Sequence, residues 1–293
     1  MKLGVFELNE PLPKLKETHA LVRLQPWIDV GSVGTLTLSW LETHFEAKEL
    51  GRLARPGDFF DFTRYRPTIH VKEGHRQVSI PNSYVTYSKQ KTGNDFLFIH
   101  LLEPHAHSEA YVDSLLRLLA RFDVKRYCLL GSMYDYVPHT KPLLVTGRAG
   151  EGSTQQQLKN MKIESSDYQG PTTITFLVSQ RAPDIGIETM SFIVHLPQYA
   201  QLDDDYMGTV PLMKVLGSLY DIPENEAYVK KAKQQLEQIS VALNKNPELK
   251  AVVEHLEGLY EARTERKAEE ETPRLSPEVE KFLTEMEMRF RER

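Results

Sequence analysis

The sequence predicts an α/β sandwich, a mixed and largely parallel sheet covered by helices, followed by a helical C-terminal segment. Three observations predict it. Two short apolar runs end at glycine, Tyr127–Leu130 before Gly131 and Leu143–Thr146 before Gly147. Such runs suit strands buried on both faces. Asp95–Leu102 reads as a strong strand, then Val112, Leu115, Leu116 and Leu119 follow at helical spacing, and Tyr127 starts the next strand. That is a strand–helix–strand unit, whose crossover is right-handed and whose strands are parallel. From Glu224 onward the chain is charged, lacks strand patterning and contains helix formers.

In chain order, Ala20–Gln25 reads as a first strand. Pro26–Gly34 is a glycine turn into a helix, with Val33, Leu36, Trp40 and Leu41 on one face. Leu50–Ala54 suits a second strand. Asp58-Phe59-Phe60-Asp61-Phe62 packs three phenylalanines between two acids, and Arg66-Pro67 ends it. Thr68–Lys72, Gln77–Ile80 and Tyr84–Ser88 alternate like antiparallel edge strands around Glu73-Gly74 and Pro81-Asn82. Beyond Gly147 a polar helix is expected near 154–161, a helix over 171–182, and a strand from Ser191 to Leu196. The α/β domain spans residues 1–222 and the helical part 223–293. In the latter, Val229, Ala232, Leu236, Ile239 and Leu243 form one seam, and Leu249, Val252, Leu256 and Leu259 another after Asn246-Pro247. These make a helical hairpin. Glu269–Pro273 reads as a solvated linker, and a last helix carries Val279, Phe282, Leu283, Met286 and Phe290 on one side.

Composition narrows function. The net charge of −5, from 36 basic and 41 acidic residues, gives no global attraction to nucleic acid or anionic lipid. Cys128 is the single cysteine and lies in an apolar run, so it is expected to be an inert core residue. The start carries acidic and proline residues where a signal peptide needs an apolar segment, and no run is long enough to span a bilayer. A cytoplasmic protein is expected.

Motifs for chemistry are incomplete. His100, Glu103, His105 and His107 lie within eight residues. Strand geometry disperses them, so no metal is expected. Gly131-Ser132 lacks the following glycine of a nucleophile elbow, and Ser132, His139 and Asp135 make only a weak triad. No Gly-Lys-Ser/Thr follows Gly147, Gly150 and Gly152, and Gly31 and Gly34 lack the third glycine of a dinucleotide fingerprint. A helix N-terminus there still suits an anion. Asp29 and Glu103, each just past a strand, are placed to face His139 across one end of the sheet. The candidate ligand pocket is therefore Asp29, Gly31, Gly34, Glu103, His139 and Thr140. No catalytic residue, metal or cofactor is assigned.

Several of these segments occur together in one order: Pro26-Trp27 through Gly34, Asp58–Phe62 with Arg66-Pro67, Glu103-Pro104, Gly131 with Val137–Pro142, Val145-Thr146-Gly147, and Tyr168-Gln169-Gly170-Pro171-Thr172. Over roughly residues 19–222 the chain resembles the bacterial and archaeal branch of the proteasome assembly chaperone 2 family. The resemblance implies a three-layer α/β/α sandwich similar to nucleoside phosphorylases and self-association into homo-oligomers such as trimers. It also implies a role in binding or assembling other proteins. Eukaryotic members can end in a hydrophobic–tyrosine–any tail that docks on the proteasome ring, whereas this sequence ends Arg291-Glu292-Arg293. Docking by that tail is not expected. Two readings follow: a non-enzymatic binding or assembly protein, or an enzyme or binding protein for a small anionic or nucleoside-like ligand.

Overall fold

The computed structural model describes residues 1–150, 153–161, 163–166, 168–243 and 245–271. The apolar seam foreseen at 279–290 lies outside the described residues. The strands are β1 (Lys2–Leu3), β2 (Phe6–Leu8), β3 (Thr18–Gln25), β4 (Lys48–Leu53), β5 (Thr68–Lys72), β6 (His75–Ser79), β7 (Tyr84–Ser88), β8 (Phe96–Leu102), β9 (Val124–Asp135), β10 (Val145–Ala149), β11 (Glu164–Ser165) and β12 (Glu188–Pro197). The helices are α1 (Val33–His44), α2 (Ser108–Arg121), α3 (Ser153–Asn160), α4 (Ile174–Arg181), α5 (Tyr206–Tyr220), α6 (Glu226–Leu243) and α7 (Pro247–Glu271).

Among the described residues one sheet runs β1-β2-β4-β7-β8-β3-β9-β12-β10-β11. Its centre, β8-β3-β9-β12, is parallel, and antiparallel strands extend it on both sides. Side-chain alternation then sorts the core into two layers. Ala20, Val22, Leu24, Leu97, Ile99, Leu101, Tyr127 and Leu129 face α2 and α4. Leu21, Phe96, Phe98, Cys128, Leu130, Phe192 and Val194 face α1, α3 and α5. Burial pushes the Cys128 thiol up to about 12, so it stays protonated and inert.

Several local expectations are corrected. β9 does not stop at Gly131 but continues to Asp135. Gly131 marks a close approach: a Cβ there would sit 2.3 Å from the Ile28 carbonyl oxygen. Just beyond, Ser132 N donates to that same oxygen at 2.9 Å. Gly131→Ala should therefore cost about 2–3 kcal/mol of stability in urea unfolding. Gly258→Ala on α7, where a Cβ meets nothing within 4 Å, should instead gain up to about 1 kcal/mol.

Of the three expected edge strands, β7 alone enters the main sheet, between β4 and β8. β5 and β6 form a separate two-stranded ribbon. The supposed linker at 269–271 is helical and belongs to α7, because Ala, Glu, Lys and Arg are strong helix formers. β1, β2, β11 and α5 are further elements that no sequence pattern announced. α5 contains Gly208 and Pro211, which read as breakers. Among the described residues, no helix is long and apolar enough to cross a membrane.

Candidate functional site

The carboxyl ends of β3, β8, β9 and β12 form the rim where an open α/β sheet is expected to take a ligand. Asp29 sits there, just past β3, with its residue 6% exposed. Its Oδ1 accepts from the backbone of Gly34 at 2.7 Å and of Thr35 at 3.2 Å, and Oδ2 accepts from Thr35 Oγ1 at 2.5 Å. Asp29 thereby fills the N-terminus of α1. Gly34 is required by this closeness, since a Cβ would lie 3.0 Å from Asp29 Oδ1 and 3.1 Å from the Leu130 oxygen. Gly31 has φ +60° and would place a Cβ 2.7 Å from that of Asp205. Asp205 in turn caps α5, accepting from Gly208 N at 2.8 Å, while its own N–H donates to the Gly31 oxygen. Burial raises the pKa of both aspartates. The two helix N-termini that would receive an anion are occupied by the chain's own carboxylates.

The other nominated residues engage different elements. Glu103 Oε1 accepts from the backbone N–H of Ile174 at 3.1 Å, at the start of α4 on the opposite face of the sheet. Tyr65 Oη donates to the Glu103 carbonyl, and burial raises the pKa of the Glu103 side chain. His139 lies on the β9–β10 connection. Its backbone N–H donates to Tyr199 Oη at 2.8 Å, the same hydroxyl lies 2.8 Å from Nδ1, and Ser240 Oγ of α6 lies 3.3 Å from Nε2. Burial lowers its pKa, against the pull of Glu257. Thr140 Oγ1 donates to Glu257, Lys141 pairs with Glu261 at 2.8 Å, and Tyr260 Oη donates to the Pro142 carbonyl. This connection is the seat of α6 and α7. Asp29, Glu103 and His139 thus serve α1, α4 and the helical hairpin respectively.

The trio Ser132, His139 and Asp135 does not assemble. Ser132 Oγ donates to the Val30 carbonyl at 2.6 Å. Asp135 Oδ2 instead meets His195 Nδ1 at 2.7 Å, and His195 Nε2 meets Thr146 Oγ1 at 2.9 Å. The His195 bond holds the Asp135 carboxyl below its usual range. This carboxylate–imidazole–hydroxyl chain spans β9, β12 and β10 and escaped the sequence reading. Asp135 also borders a groove of about 300 Å³ beneath α7, with Leu144, Tyr260 and Arg263.

A second missed cluster lies under α1. Arg23 Nε donates to His100 Nδ1 at 3.0 Å, so His100 presents Nε2–H to Glu42 Oε1 at 2.9 Å. Thr86 also donates to Glu42, at 2.6 Å, and the Tyr84 ring stacks on His100 with centroids 4.4 Å apart. Burial lowers the His100 pKa despite Glu42. Burial alone would raise Glu42, but its bonds to His100 and Thr86 outweigh this and hold it low. The signal that was available is period two: Arg23 and His100 occupy strand positions that point at a helix layer. His105 Nδ1 accepts from Asp61 N at 3.1 Å and His107 opens α2 with φ +55°, so the histidines disperse.

Apolar groups, by contrast, stand in solvent. Trp27 is 69% exposed, Tyr136 74% and Tyr168 59%. Every residue of β5 and β6 is exposed.

The chain is similar in fold to several solved proteins. A Corynebacterium glutamicum protein of unknown function aligns with 20% identity and TM-score 0.78, covering 89% of this chain and 98% of that one. A Mycobacterium tuberculosis protein of unknown function aligns with 22% identity and TM-score 0.79, covering 92% and 93%. A Mycobacterium tuberculosis proteasome-assembly chaperone homologue aligns with 20% identity and TM-score 0.70, covering 80% and 99%. At these identities the likeness is one of fold. No protein of curated function matches the sequence. A profile of the PAC2 family matches residues 24–243, well over half of the chain. On that match, the chain belongs to the PAC2 family.

Proposed function

We propose that this PAC2 protein is a non-enzymatic binding or assembly protein, chaperone-like in role, that acts on other proteins and associates with itself. One observation carries the reading: polar groups of the rim are turned inward while aromatic and β-branched side chains are displayed outward. Asp29 and Asp205 are consumed as helix caps, whereas Trp27 and Tyr136 stand in solvent. Exposed aromatic side chains are the usual anchors of protein contacts. The M. tuberculosis relative described as a proteasome-assembly chaperone homologue supports the same reading. Residues 223–293 are the accessory part.

Affinity capture with the full chain as bait tests this. A defined partner should be recovered, and Trp27→Ala should lose it while His139→Ala retains it. Equal recovery with Trp27→Ala would contradict the role given to the rim. A second reading moves the small anionic or nucleoside-like ligand expected near Asp29, Gly31, Gly34, Glu103, His139 and Thr140 to the groove under α7. The Asp135–His195–Thr146 chain beside the groove under α7 favours it. A thermal-shift screen of nucleosides, phosphates and sugars separates the two, because a ligand at ~100 times its Kd adds about 2.7 kcal/mol. The expected result is no shift.

A further inference from the structure

Two carboxylates and two tyrosines meet in the groove under α7, where Asp135, Tyr136, Glu164, Tyr260 and Arg263 all line the wall. The sheet places the carboxylates. Thr146 pairs in register with Glu164, and register partners share a face. The row Asp135–His195–Thr146 therefore crosses β9, β12 and β10 and ends beside Glu164 on β11. Asp135 Oδ2 is held by His195, and Oδ1 accepts from Tyr136 N at 2.7 Å. The carboxylate is thus fixed at the groove while its side chain stays 31% exposed. From α7, Arg263 reaches Glu164 at 2.7 Å, and its charge also acts on Asp135.

That lining selects its occupant. Carboxylates beside aromatic rings attract cations, whereas an anion would meet two like charges. Asp135 and Glu164 against Arg263 give the residues lining the groove a net charge of −1. At about 300 Å³ it lies at the small end of ligand clefts, with room for a side chain more than for a cofactor. Arg263 shows which cation suits it, a planar guanidinium paired with a carboxylate oxygen. Tyr136, one of the exposed aromatic residues of the rim, stands at the same groove. We propose that the groove is a socket for an arginine side chain of the partner protein, gripped between Asp135 and Glu164 in competition with Arg263. The proposal rests on the protein-binding reading above, names the chemistry of its partner, and contests the groove with the small anionic ligand.

N-acetyl-arginine amide titrated into the isotope-labelled full chain tests this, followed by NMR at the Tyr136 and Glu164 amides. Those resonances should shift and saturate with a Kd on the order of 1 mM. N-acetyl-citrulline amide, the uncharged isostere, should bind at least about tenfold more weakly. Asp135→Asn and Glu164→Gln should each weaken binding of the arginine amide about tenfold. Arg263→Met should tighten it, which a merely structural role for these residues would not do. Far-UV circular dichroism checks that each variant is folded, and the citrulline comparison needs no variant. No shift, equal binding of the two amides, or shifts confined to other residues would overturn the proposal. A partner captured equally by the wild type and by the Asp135→Asn, Glu164→Gln double variant would overturn it too, with the protein-binding reading left standing. A chain that captures no partner removes both.

Discussion

Replacing Arg23 by methionine is expected to lower the unfolding free energy by about 3–5 kcal/mol, since it leaves the buried Asp29 carboxylate without its cation. The Arg23 side chain is 9% exposed and that of Asp29 is fully buried, with the guanidinium 4.0 Å from the carboxylate. Losing Arg23 also removes the donor to His100 Nδ1. That bond sets the tautomer that lets Nε2–H reach Glu42. Methionine keeps most of the packing volume, so the loss reports charge and hydrogen bonding more than a cavity. Arg52→Met is the control. It breaks an exposed pair with Glu49 and should cost less than about 1 kcal/mol. Equal effects in urea unfolding would mean that the cluster under α1 contributes no more than a surface pair.

Acid should destabilise the fold through His19. Its pKa is lowered to about 4, chiefly by burial and then by the nearby Arg126. Asn94 Nδ2 donates to Nε2 at 3.3 Å and Nδ1 lies 3.1 Å from Tyr220 Oη, so both ring nitrogens are used by the neutral form. The folded state resists protonation that the unfolded chain accepts near pH 6.5. Stability from this group is therefore complete above about pH 6.5, falls as pH drops toward 4, and is constant below. The full loss amounts to about 3 kcal/mol. His100 acts in the same direction. Raised carboxyls such as Asp29 and Asp205 act oppositely at lower pH, so the difference between wild type and His19→Asn isolates the effect. That difference should shrink as pH falls through the window; one that stays flat from pH 7 to 4 would refute the assignment.

The sequence made the centre of the fold legible because periodicity is strong there. β3, β8 and β12 carry mainly apolar runs and α1 and α2 a 3.6-residue pattern. Gly131 was misread because a glycine that admits a neighbouring backbone looks, in sequence, like one that ends a strand. α5 was missed for a related reason. It is buried against the sheet and α1, and Gly208 is small because a Cβ would lie 2.5 Å from Leu196 Cδ2. Asp29 was recognisable as a chemically active position, and its partners Gly34 and Thr35 are local. The Arg23–His100–Glu42 cluster was not recognisable, since its members are 77 and 58 residues apart. The same distance in sequence hid Asp135–His195, 60 residues apart. The ribbon was read correctly as strands, but alternation alone cannot say whether an apolar face has a layer to rest on.

Hydrogen exchange on the full chain, alone and with the partner recovered by affinity capture, tests the central claim most directly. The segments that carry the exposed Trp27 and Tyr136 should exchange more slowly in the complex than in the free chain. Unchanged exchange there with the partner bound would contradict it.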